Sequence, residues 1–64
     1  MCLLKIYVED GDGRRLIARD VAFVEISGGN IDLRDMGSRR LACIEGFRSI
    51  EIDALASRLV VKLT

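Results

Sequence analysis

The sequence predicts an all-β chain, a small antiparallel barrel or sandwich of about seven short strands, Sm/SH3-like in size. Three observations lead there. Apolar residues recur with a period of two in most segments, the signature of a half-buried strand. Turn chemistry separates these stretches at intervals of about 8–12 residues, the spacing of barrels and sandwiches. The chain has 64 residues and no proline, which allows one domain, residues 1–64.

The first strand is expected at Cys2–Glu9, with Cys2, Leu4, Ile6 and Val8 on one face. Asp10-Gly11-Asp12-Gly13 follows as a hairpin signal, because glycine takes φ > 0 without steric cost. Arg14–Ala18 returns as the second strand. Val21–Ser27 is the third, separating Ala22, Val24 and Ile26 from Val21, Phe23 and Glu25. Beyond the Gly28-Gly29-Asn30 turn, Asn30–Asp35 alternates Ile31 and Leu33 with Asp32 and Arg34. Met36-Gly37-Ser38 turns the chain into Arg40–Glu45, which Gly46 breaks or bulges. Ser49–Asp53 is the sixth strand. Arg58–Leu63 closes the set with Leu59, Val61 and Leu63 on one side and Val60 beside Lys62 on the other, a pattern suited to an interior strand or a subunit contact. A competing reading puts a single helical turn within Ile52–Leu59, capped by Asp53.

Ten basic residues balance ten acidic ones, which argues against a general polyanion binder. No apolar run approaches the roughly 20 residues of a membrane span, and the start of the chain lacks the pattern of a signal peptide. A cytoplasmic protein is therefore expected, with no membrane partner and with Cys2 and Cys43 as thiols. A domain of this size buries only about 60% of its unfolded surface, so a further source of stability is needed. Half of the residues are apolar and only two are cysteine, which points to hydrophobic oligomerisation, a homodimer, over a disulfide framework.

Catalysis is not expected. With no histidine to activate a serine or cysteine, the carboxylates read as solvated charges, and the chain reads as a binder, not an enzyme. Gly11-Asp12-Gly13 has an acid between its glycines and no following helix, so it reads as a turn and not a phosphate cradle. Arg14-Arg15 and Arg39-Arg40 are the doubled basic sites, and Tyr7, Phe23 and Phe47 the aromatics. An RNA reader sets stacking platforms beside a basic groove. An Sm/SH3-like barrel using Tyr7, Phe23 and the arginine pairs to bind RNA or a protein partner is the alternative reading, with nucleic acid the less expected.

Cys2 is the residue with the most chemical content, and two readings of it are open. On the Leu4/Ile6/Val8 face it is a small buried hydrophobe. Next to Met1 it is a thiol beside backbone nitrogens not yet committed to a ladder, and a thiolate with a deprotonated amide is a strong-field pair. Ni(II) and Cu(II) favour square-planar sites of that kind, whereas Zn(II) prefers a tetrahedron. Two copies of Cys2 about a two-fold axis supply two sulfurs and two nitrogens to one ion. With Met1 present the nitrogen is the Cys2 amide; with Met1 removed it is the Cys2 α-amine. Cys43, in phase with Leu41 in mid-strand, is expected to pack in the core.

The chain resembles the CooT-type small nickel-binding proteins, accessory factors for maturation of nickel-containing carbon monoxide dehydrogenase. The resemblance runs over nearly the whole chain: Met1-Cys2 followed at once by a strand, Asp20-Val21, Glu25 ahead of Gly28-Gly29, Leu33-Arg34-Asp35-Met36-Gly37, Gly46, and Ile50-Glu51-Ile52-Asp53 before a closing apolar strand. It implies a homodimer of antiparallel β-domains that holds one Ni(II) between subunits through Cys2 of each, and a nickel-enzyme maturation client as its partner.

Overall fold

Each alternating stretch of the sequence forms a strand in the computed structural model, which describes residues 3–64. The strands are β1 (Leu4–Asp10), β2 (Gly13–Val21), β3 (Phe23–Ser27), β4 (Asn30–Arg34), β5 (Arg40–Glu45), β6 (Ser49–Asp53) and β7 (Arg58–Lys62). Among the described residues there is no helix, so none is long and apolar enough to cross a membrane. The competing helical turn before β7 is a hydrogen-bonded turn, closed by Ser57 N–H donating to the Ala54 carbonyl.

The strands form two sheets, one ordered β2-β1-β7-β6 and the other β3-β4-β5. All pairings but one are antiparallel; β1 and β7 run parallel, with Ile6 beside Leu59 and Val8 beside Val61. The hydrophobic pattern of β7 accounts for this exception. Leu59, Val60 and Val61 are all buried, and a strand covered on both faces suits a central, parallel position. Val60 points away from the main core, between Tyr7 and Glu51 in register, and is still closed off from water.

Ile6, Val8, Val21, Ile31, Leu33, Leu59 and Val61 form the core. In the three-stranded sheet Leu33 lies between Val24 and Ala42, and Ile31 between Ile26 and Ile44. That register sets the inner face of β5 as Ala42 and Ile44. Cys43 is on the other face, opposite Asp32, and is exposed, so the expected core packing of this thiol does not occur.

The two ends of the structure are built from different turns. At one end Gly28 (φ 56°) and Gly29 (φ 81°) join β3 to β4; both lie in the left-handed region, as a two-residue hairpin of this hand demands. The Gly11-Asp12 hairpin and the Gly46-Phe47-Arg48 link from β5 to β6 lie at the same end. At the opposite end the positive-φ residues are Asp20 (φ 54°), Ser38 (φ 66°) and Ser57 (φ 52°), none of them glycine. This is the end at which β1 begins.

Candidate metal centre and its surroundings

Cys2, the metal ligand expected from the sequence, lies outside the described residues. Its chain neighbour Leu3 leads into β1, and the register identifies what surrounds that entry. Leu4 pairs with Val21 at the end of β2, and the Lys5 amide donates to the Ser57 carbonyl at 3.0 Å. Lys5 is beside Arg58, which is beside Asp53 at the end of β6. Ala22, between β2 and β3, donates to the Arg34 carbonyl at 2.9 Å, which brings in the Asp35–Arg39 loop. Three connections therefore gather around the start of β1: the bend at Asp20–Ala22, the Asp35–Arg39 loop and the Ala54–Ser57 turn.

These connections and the strand ends beside them carry large apolar side chains that the fold leaves exposed. Phe23 is 54% exposed, Met36 63%, Ile52 64% and Leu55 fully so. Ile52 is on the core-facing side of its sheet, beside Leu59, so the apolar row from Ile6 through Leu59 runs out into solvent at β6. The same connections contain Asp20, Ser38 and Ser57 in the left-handed region, a conformation that costs a non-glycine residue about 1–2 kcal/mol and that concentrates at functional sites.

The carboxylates here anchor turns. One oxygen of Asp53 accepts the Ala56 amide (3.1 Å) and the other the Arg58 guanidinium (3.1 Å). The amide bond first, and the guanidinium second, hold its carboxyl below the ordinary value. Asp35 accepts the amides of Gly37 and Arg39, each at 2.9 Å, and its carboxyl is likewise held low, chiefly by the Arg39 amide. Among the described residues no group of three or more His, Cys, Asp or Glu converges. Cys43 sits midway along β5, an edge strand of the other sheet, so the structure does not bring it to the end where β1 begins.

The features of the RNA alternative are dispersed. Arg14 is paired with Glu9 (2.8 Å), Arg15 with Asp10 (3.2 Å), Arg39 with Asp35 (3.2 Å) and Arg40 with Asp32 (2.8 Å). Tyr7 is half-buried in β1, while Phe23 is in the other sheet.

Sequence reasoning missed the apolar end itself. Its signal was present, since Met36 and Leu55 are large apolar residues set in turn sequences, but periodicity assigns such positions to no face. Compared with known proteins, the chain matches no family model and no curated protein.

Proposed function

We propose that this protein is a nickel-binding homodimer that carries Ni(II) as cargo between its subunits, with the Cys2 thiolate and backbone nitrogen of each copy as ligands. The observation that supports it is the apolar, strained end of the domain from which the chain runs back to Cys2. A second copy docked on Phe23, Met36, Ile52 and Leu55 covers that surface and brings two N-terminal segments together. Such a protein binds and hands on a metal and catalyses nothing; in keeping with the family it resembles, its client is a nickel enzyme under maturation, carbon monoxide dehydrogenase among them, in the cytoplasm.

The test is a nickel titration of the reduced protein, followed by calorimetry and native mass spectrometry. Saturation at one ion per two chains is expected, lost in Cys2→Ser and kept in Cys43→Ser. Unchanged nickel affinity in Cys2→Ser ends the proposal. Because thiol and amide must lose protons to ligate, affinity should rise with pH through the thiol range, centred near about 8.5 in the absence of metal.

A further inference from the structure

Lys5 is an exposed cation set against another cation. It is the register partner of Arg58 in the parallel β1–β7 pair, and like charges side by side on neighbouring strands destabilise a sheet. Arg58 is relieved by Asp53, 3.1 Å away. On the other side of β1 the register passes from Leu4–Val21 to Ile6–Ala18, so Arg19 and Asp20 together oppose Lys5 in a bulge. Among the described residues neither Lys5 nor Arg19 enters an ion pair. The carboxylates of the adjoining turns are taken, Asp35 by Arg39 and Asp53 by Arg58. Asp20 alone remains against Lys5 and Arg19, so each copy brings one cation in excess to the start of β1.

The proposed ligands account for that excess. To hold the ion, two Cys2 thiols and two backbone amides release four protons to solvent. Four negative ligand charges against the two positive charges of Ni(II) take the site from neutral to doubly negative on loading. Such a charge at an apolar end of the molecule is unfavourable unless cations stand beside it. Lys5 is the first basic residue after Cys2, and the chain between them is three residues long, a reach of at most about 11 Å. Two copies bring two such lysines, equal and opposite to the charge of the loaded site.

We propose, resting on the nickel reading, that Lys5 of each subunit is a non-ligating residue of the metal site, whose ammonium supplies the counter-charge that the thiolate and amide ligands acquire on loading. Removing it should act with opposite sign on the two states: the empty protein loses a repulsion, and the loaded one loses an attraction.

The test is nickel affinity by calorimetry at low ionic strength for the parent, Lys5→Gln, Lys5→Arg and Arg48→Gln. Arg48 is the control, since it is exposed, enters no ion pair among the described residues and lies at the opposite end, between β5 and β6. Lys5→Gln should bind nickel roughly fivefold more weakly or worse, the scale of two unit charges acting on a double charge over about 11 Å in water. It should keep the visible absorption of the parent's nickel complex, because no ligand is lost. Lys5→Arg should restore parental affinity, and Arg48→Gln, which removes the same charge, should match the parent. Raising salt from about 0.01 to 1 M shortens the screening length from about 30 to 3 Å and should bring Lys5→Gln and the parent together. Without metal, Lys5→Gln should melt at the parent's temperature or above it. Equal affinity in Lys5→Gln and the parent, an equal loss in Arg48→Gln, or a metal-free Lys5→Gln that melts below the parent overturns the proposal and leaves Cys2 as ligand. No nickel bound by the parent, or parental affinity in Cys2→Ser, overturns the nickel reading and the role of Lys5 with it.

Discussion

Cys43 stands opposite Asp32 on the solvent side of β5, so its sulfur fills no space that the fold needs. Cys43→Ser should change stability by no more than about 0.5 kcal/mol, as surface substitutions usually do, and a denaturant melt checks this. The aspartates that anchor turns behave differently. Asp10, Asp35 and Asp53 are each held below the ordinary carboxylate value by a backbone amide as the leading cause, with an arginine adding to it. A carboxyl whose folded-state value is lowered contributes stability that is complete above its unfolded value, near about 3.9, and is lost as pH falls through the folded one. The melting temperature should therefore be insensitive to these three groups between about pH 7 and 5 and decline below about pH 4. Asp53→Asn should flatten part of that decline while lowering stability at neutral pH, because it removes the charge that binds Arg58. Thermal melts across this range decide it.

At the scale of the element, β7 governs the fold. It joins β1 to β6 and contributes Leu59, Val60 and Val61 to buried positions on both faces. Leu→Ala at a buried site costs about 2–5 kcal/mol, against the roughly 3–5 kcal/mol that a core of this size supplies. Leu59→Ala should thus be largely unfolded at 25 °C, with loss of strand signal in circular dichroism, whereas Leu55→Ala, at a fully exposed position, should fold as the parent does. The two-faced apolar character of Arg58–Leu63 is legible in the sequence, as are all seven strands, because period-two alternation and glycine turns are local signals. The parallel neighbour of β7 is not, since pairing across some fifty residues leaves no local trace. Nor is the orientation of β5: Leu41 and Cys43 alternate with Ala42 and Ile44, two sets of similar hydrophobicity, and pairing with Leu33 and Ile31 decides between them. For the candidate site, Cys2 is an expectation drawn from the sequence and lies outside the described residues, while the apolar end around the entry to β1 required the register of the sheet contacts to assemble.

At the scale of the whole molecule, the two sheets give a body of 32 × 26 × 15 Å. Its thin dimension is little more than the spacing of about 10 Å between packed sheets, so a single interior layer is all the monomer has. Ile52 shows the consequence: it faces the core side of its sheet and is still 64% exposed, because no second layer extends over the end of β6. A partner laid across Ile52, Leu55, Met36 and Phe23 supplies that layer, and in the proposed function it is another copy of the chain. Converting Ile52 and Leu55 together to lysine places like charges on both halves of such an interface. Neither side chain is part of the buried cluster, so the variant should keep its circular dichroism spectrum and most of its melting temperature while sedimenting as a monomer where the parent sediments as a dimer. In native mass spectrometry it should also lose the species with one nickel per two chains, although Cys2 is untouched. A variant that remains dimeric places the contact elsewhere, with the open edges of β3 and β6 the next surfaces to test. A variant that is monomeric and binds nickel with parental affinity separates metal binding from dimerisation, and the two-fold site would then give way to one completed within a single chain.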